Sequence, residues 1–172
     1  MSELFSIQLQ NRQQQGRDGI WLDLPTTTEQ VQAALRQIGI SSDNPQGLFI
    51  SGYFAEEEKR FAIPYNMVLA SNVDELNFLA SRLETLSTGE RAELNAALQA
   101  PQSELFSIGR ITDFPENVDY YVHLPDVHGP AQLGDYYLNR SGMVDMPEEW
   151  KGGIDTAQFG RYVAQQEQGA FT

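Results

Sequence analysis

The chain contains no cysteine, which excludes disulfide bonds, thiol nucleophiles and thiolate metal sites. No apolar run approaches the ~18 residues that a membrane-spanning helix needs. The N-terminal sequence MSELFSIQLQNRQ also lacks the apolar stretch of a secretory signal. Together these absences predict a soluble protein in a reducing compartment, the cytoplasm.

Positive charge is scarce as well. Lysine and arginine number 11 against 24 aspartates and glutamates, so the 172-residue chain has a formal net charge of -13. Nucleic-acid binding needs a basic surface, and anionic membranes attract basic segments. The composition therefore argues against direct contact with either. An acidic surface suits a basic protein partner, and it equally suits a protein whose charge serves only solubility.

The sequence lacks the motifs of catalysis and cofactor binding. Neither GxGxxG nor GxxxxGK[ST] occurs, so no phosphate-binding loop is predicted. Asp126 and His128 could form an oriented base, but no nucleophile lies in a recognisable elbow, and an exposed loop histidine is the default interpretation. The acidic stretch 145–155 does not have the spacing of a calcium loop. We therefore expect no enzyme activity, metal or cofactor, with a carboxylate hydrolase as a third alternative that needs a deep pocket.

Residues 1–65 predict a small antiparallel sheet with one helix. Apolar residues typical of strands occur at 4–9, 19–24 and 47–54. Between the second and third strands, Thr26 and Glu29 have the spacing of a capping box, which predicts a helix beginning after Thr26. Gly39 can end that helix.

Residues 66–102 predict a helical middle domain. Asn72 can cap a first helix whose apolar stripe includes Leu76, Leu79 and Leu83. A second capping box, Ser87 to Glu90, opens another helix. The pattern predicts two short helices joined by a tight turn.

Residues 103–172 predict an α+β C-terminal domain. Strands are expected over 105–111 and 117–124, and helices are expected to begin at Pro130 and to be capped by Asp155. The hexapeptide SELFSI at 103–108 repeats residues 2–7 letter for letter. Either both copies begin a similar sheet unit, or the match is a coincidence of strand-forming residues. The whole chain is thus predicted to be an α+β fold of three small domains in a row.

Several sequence blocks, in one order, resemble a known family. They are GIWLDLP at 19–25, NVDELN at 72–77, VDYY at 118–121, and the stretch 133–162 with LGDYY, PEEW, ID and FGRY. Together they cover most of the chain and resemble the ArdA antirestriction family.

This resemblance implies an elongated arrangement of the three domains and a homodimer. It implies a non-catalytic protein of mobile genetic elements that imitates bent duplex DNA and occupies the DNA-binding groove of Type I restriction-modification enzymes, on their methyltransferase core. It also implies a further strand beyond Thr172, so that the C-terminal domain would be truncated at its end. The alternative function is an acidic interaction module that binds another basic cellular protein.

The resemblance assigns roles to two groups of side chains. Solvent-facing carboxylates spread along the chain would each replace a phosphate. They are Glu56, Glu57, Glu58, Asp74, Glu75, Glu84, Glu90, Glu93, Asp113, Glu116, Asp119, Asp126, Asp145, Glu148 and Glu149. Four aromatic residues are instead expected to form core or dimer contacts. They are Tyr137, Trp150, Phe159 and Tyr162.

Overall fold

The computed structural model describes residues 3–14, 16–100, 103–117 and 122–171, and it shows a mixed α+β fold, as predicted. The strands are β1 (Phe5–Asn11), β2 (Ile20–Leu24) and β3 (Leu48–Phe54). The helices are α1 (Thr28–Gln37), α2 (Tyr65–Leu69), α3 (Val73–Glu84), α4 (Thr88–Gln99), α5 (Ile108–Thr112), α6 (Phe114–Asn117), α7 (Pro130–Asp135), α8 (Glu148–Lys151) and α9 (Thr156–Gln166). A π-helical turn, Tyr136–Arg140, continues α7. Within the described ranges, every helix is too short or too polar to cross a membrane.

The chain forms two compact units. Unit 1 comprises Met1–Arg91 and Leu105–Val118, and unit 2 comprises Ala92–Glu104 and Asp119–Thr172. The division falls within α4. The arrangement of three domains in a row, with boundaries at 1–65, 66–102 and 103–172, stays a prediction.

The sheet of unit 1 is antiparallel, with strand order β2-β1-β3. Alternate side chains of the central strand point to opposite faces. Phe5, Ile7 and Leu9 are therefore buried, while the intervening Ser6 and Gln8 are half-buried on the other face. The buried face forms one wall of the unit 1 core.

Helix α1 begins one residue later than the capping-box spacing predicts. The side chain of Thr27, not Thr26, accepts a hydrogen bond from the backbone N–H of Gln30. Both backbone groups of Thr26 are instead bound by one side chain: its N–H donates to Asn77 Oδ1 at 2.8 Å, and its carbonyl accepts from Asn77 Nδ2 at 2.9 Å. This contact holds the Thr26 backbone against α3, and the next threonine takes the cap position.

Helix α3 supplies the centre of the unit 1 core. Asn72 caps it as predicted, with Oδ1 accepting from the Glu75 N–H at 2.9 Å. The predicted stripe is also confirmed, because Leu76, Leu79 and Leu83 are completely buried at helical spacing. Helix α3 packs against β2 and α5, so the stripe joins the sheet to the short helices after residue 107.

The predicted strand over 105–111 is wrong, because this segment forms a turn and then α5. Ser107 caps that helix, accepting a hydrogen bond from the backbone N–H of Arg110 at 3.3 Å. The repeated hexapeptide therefore has no structural counterpart in β1. The Ser107 side chain gives the backbone of this segment a local hydrogen bond, so the copy at 103–108 needs no neighbouring strand.

The predicted strand over 117–124 is not present in the residues that the structure describes. Asn117 ends α6, residues 122–124 have no strand pairing, and residues 118–121 lie outside the described part. The alternating pattern marks strand preference, but a strand needs a partner to bind its backbone groups.

Unit 2 is built around two helices whose backbones approach very closely. A Cβ atom added to Gly134 of α7 would lie 1.8 Å from the carbonyl oxygen of Thr156. One added to Gly160 of α9 would lie 1.7 Å from the carbonyl oxygen of Pro130. Only glycine fits at either position, so these two residues determine how α7 and α9 pack. The predicted helix starts are confirmed: Pro130 opens α7, and Asp155 caps α9 through the Gln158 N–H at 3.0 Å.

Candidate functional site

The candidate carboxylates lie on the outside of the protein, and none of the described ones is buried. One group is exposed: Glu56, Glu57, Glu58, Asp74, Asp113, Glu116, Asp126, Asp145, Glu148 and Glu149. A second group is half-buried: Glu75, Glu84, Glu90 and Glu93. Asp119 lies outside the described residues. The candidates occur in both units.

Three of the exposed carboxylates are neutralised by cations of the same chain. Lys59 Nζ lies 3.0 Å from Oε2 of Glu56, three residues earlier in the chain. Lys151 Nζ lies 2.8 Å from Glu148 Oε1. These lysines lower the net negative charge that a partner would meet at the two positions.

The third ion pair joins two elements of unit 1. Arg82 of α3 places its guanidinium nitrogen 2.6 Å from Glu116 Oε1 of α6. The contact holds α6 against the polar side of α3. Because both side chains are partly exposed, solvent screens the pair, and its effect is chiefly to fix the position of Glu116.

Two other candidates bind their own helix starts. Ser71 Oγ donates to Glu75 Oε2 at 2.6 Å, just before α3. Glu90 accepts from the Ser87 backbone N–H at 2.7 Å, and its own N–H donates to Ser87 Oγ at 3.3 Å, which is the predicted capping box. The Ser87 side chain, and then its backbone N–H, favour the charged carboxylate and lower the pKa of Glu90.

The other exposed candidates make no side-chain hydrogen bond or ion pair with the residues that the structure describes. In unit 1 they are Glu57, Glu58, Asp74 and Asp113, and in unit 2 they are Asp126, Asp145 and Glu149. Their side chains are exposed, so a partner can reach their oxygens. We call this set the unpartnered carboxylates.

The four aromatic candidates divide by exposure. Trp150 and Tyr162 are 66% and 60% exposed, so neither belongs to the core of unit 2. Tyr137 and Phe159 are half-buried. The ring of Tyr137 contacts that of Tyr136 edge-on, with centroids 5.6 Å apart. A role in dimer contacts stays a prediction for all four.

The sequence interpretation missed the internal ion pairs and one cavity. Glu56 and Glu148 each precede a lysine by three residues, a spacing from which those two pairs could have been predicted. The Arg82–Glu116 pair spans 34 residues and leaves no such signal. The cavity lies in unit 2 and has a volume of about 520 Å³. No cluster of potential metal ligands occurs among the residues described.

Comparison with known proteins identifies the family. No curated protein matches the chain. A family model described as "Antirestriction protein (ArdA)" matches residues 15–172, which is almost the whole chain. This match includes both units, with the carboxylates and aromatic residues described above. The chain therefore belongs to the ArdA antirestriction family, which implies an antirestriction function against Type I restriction enzymes.

Proposed function

We propose that this protein inhibits Type I restriction-modification enzymes by presenting surface carboxylates in place of DNA phosphates. The observation that carries the proposal is the exposure of the acidic side chains: the unpartnered carboxylates lie on the surfaces of both units. Their oxygens are charged acceptors, as phosphate oxygens are. A groove that binds duplex DNA through lysine and arginine would accept them with similar geometry.

Electrostatic attraction explains how such an inhibitor would act on many enzymes. A net charge of -13 steers the protein toward a basic groove from a distance. Phosphate contacts position DNA without reading its sequence. A protein that occupies only the phosphate sites would therefore block enzymes of different sequence specificity, in the cytoplasm where they act.

The mimicry would be local, not continuous. Duplex DNA has one charge per ~1.7 Å of its axis, which is a denser array than this chain carries. The unpartnered carboxylates should dominate because, among the described residues, no lysine or arginine forms an ion pair with them. Exposed Trp150 and Tyr162 suit a second copy, and a homodimer would lengthen the acidic surface.

The test is competition with DNA. Labelled duplex DNA is bound to a Type I methyltransferase core, and this protein is titrated at ~50 and ~200 mM salt. We expect displacement of the DNA at low salt, weakening steeply at the higher concentration because ions screen the carboxylates. Absence of displacement at low salt would reject the proposal and favour an acidic module with another partner.

Matched variants test the role of the unpartnered carboxylates. Single Glu→Gln changes should weaken competition by less than about threefold, because many contacts share the binding. A double Glu57→Gln, Glu58→Gln variant should weaken it more than the double variant Glu56→Gln, Glu148→Gln, whose carboxylates are already paired with lysines. A single change that abolishes inhibition without unfolding the protein would contradict distributed mimicry.

A further inference from the structure

Three segments contribute apolar residues to the lining of the unit 2 cavity. Helix α4 contributes Ala96 and Ala97, and Ala100 follows its end. Helix α9 contributes Val163 and Ala164, and α7 contributes Leu133. The volume of about 520 Å³ lies within the ~300–1,000 Å³ of small-molecule sites. The cavity therefore has room for an organic ligand of moderate size.

Two irregular segments, one before α7 and one after α9, complete the wall of the cavity. Hydrogen bonds hold both in place. Before α7, the Val127 N–H donates to the Leu124 carbonyl at 3.1 Å, and the His128 N–H donates to Gln132 Oε1 at 2.7 Å. After α9, the Gly169 N–H donates to the Ala164 carbonyl at 3.0 Å. The chain reverses there through Gln168, whose φ is 54°. Both segments are thus bound to helices that line the cavity.

The charged groups of the lining are of one sign. Glu93, Glu104 and Glu167 lie on it, and the described lining contains neither lysine nor arginine. Both histidines of the chain, His123 and His128, lie there too. A cavity whose lining combines apolar groups with carboxylates attracts a cation and disfavours an anion.

Tyr137 adds a polar group to the lining, near Glu167. Burial raises the pKa of its phenol, and the negative charge of Glu167 raises it further. The phenol therefore stays protonated near neutral pH and keeps a hydroxyl that can donate a hydrogen bond or accept one from an ammonium.

We propose that this cavity binds a small organic amine with an apolar body. The apolar part would lie against the alanines of α4 and the valine of α9. The ammonium would lie among Glu93, Glu104 and Glu167. This inference does not depend on DNA mimicry, because the cavity lies within unit 2 and its ligand is a small molecule.

The first test compares three probes of similar shape: 4-phenylbutylamine, 4-phenylbutanol and 4-phenylbutyrate. Because the chain has only two histidines and both line the cavity, imidazole NMR signals report binding at this site. We expect the amine to shift both histidine spectra saturably, with a Kd of ~1 mM. The alcohol should bind roughly tenfold more weakly, and the acid still more weakly.

Three results would overturn the proposal. The amine could bind without moving either histidine signal, which would place it elsewhere on the acidic surface. It could give no saturable shift up to ~10 mM. The anionic probe could bind as well as the amine, which would show that the carboxylates do not select the ligand.

Two triple variants that remove the same charge distinguish selection of the amine by the cavity carboxylates from general attraction to the acidic protein. A triple variant with Glu93→Gln, Glu104→Gln and Glu167→Gln should reduce the preference for amine over alcohol to about twofold or less. A control triple with Asp145→Asn, Glu148→Gln and Glu149→Gln removes the same charge from unit 2 outside the cavity. It should keep the roughly tenfold preference. Equal loss of preference in both triples would reject the site.

Discussion

Units 1 and 2 differ in how much apolar surface they bury. In unit 1, one face of the sheet and one face of α3 are completely buried. The buried residues are Ile7 and Leu9 in the sheet and Leu76, Leu79 and Leu83 in α3. In unit 2, the described residues that are both apolar and buried are Leu94, Ala97, Leu138 and Val163. Large apolar side chains there are instead exposed, among them Met143, Trp150 and Tyr162.

The comparison teaches that the two units are stabilised by different means. Unit 1 has a hydrophobic core, the dominant favourable contribution in folding. Unit 2 depends on the close approach of α7 and α9 and on helix caps, and it leaves its apolar groups available to a ligand or a partner. We therefore expect unit 2 to open at lower denaturant concentration than unit 1.

The two tryptophans of the chain make this difference measurable. Trp21 lies in unit 1 and Trp150 in unit 2, so the single-tryptophan variants Trp150→Phe and Trp21→Phe each report one unit by fluorescence. In urea, the Trp150 signal should change first. Coincident transitions would contradict the distinction between the units.

The largest effect is expected from the core of unit 1. Leu79→Ala removes a completely buried side chain from α3 and should lower the free energy of unfolding of unit 1 by ~3–4 kcal/mol, because it leaves a cavity. Urea titration with Trp21 fluorescence measures this. Phe78→Ala is the control, since Phe78 is the next residue on the same helix but is 60% exposed. Equal losses in both variants would show that burial is not the cause.

The next effect should be confined to unit 2. Gly134→Ala places a methyl group against the Thr156 carbonyl, so α7 and α9 must separate, at a cost of ~2–3 kcal/mol. Trp150 fluorescence should report earlier unfolding while Trp21 fluorescence does not change. Gly152→Ala is the control, because a Cβ there meets nothing within 4 Å. Normal stability of the Gly134 variant would disprove the close helix contact.

A smaller effect is expected where a side chain of α3 binds the loop between β2 and α1. Asn77→Ala removes both hydrogen bonds to the Thr26 backbone and should destabilise unit 1 by ~1–3 kcal/mol, since the backbone groups lose their partner. Ser81→Ala is the control one turn further along α3. Its hydroxyl donates a hydrogen bond to the helix carbonyl of Asn77. The two variants are compared by urea titration with Trp21 fluorescence.

The smallest effect concerns pH and the cap of α4. Folding lowers the pKa of Glu90, so the carboxylate favours the folded state above its unfolded pKa, and this contribution is lost as pH falls through the folded pKa. Ser87→Ala should raise the Glu90 pKa toward its ordinary value, as followed by carboxyl NMR signals. An unchanged Glu90 pKa would contradict the capping box.

Local patterns predicted much of the fold. The strands near 4–9, 19–24 and 47–54 are present where strand-forming residues indicated them. The caps at Asn72, Ser87 and Asp155 are present because each depends on neighbours in sequence. The exposure of the candidate carboxylates was also foreseeable, because isolated charges are rarely buried. The ion pair between Arg82 and Glu116 was not foreseeable, because it forms only when the fold brings α3 against α6.

The amino-acid sequence by itself determined the acidic charge, the caps, the apolar stripe of α3 and the family. Only the tertiary structure decided what the repeated SELFSI segments became. Phe5 is 3% exposed in β1, between two partner strands, whereas Phe106 is 67% exposed in the turn before α5. Six identical residues carry identical local preferences. The difference therefore arises from their surroundings: strands that bind the backbone of one copy, and in the other a helix that continues beyond Ser107.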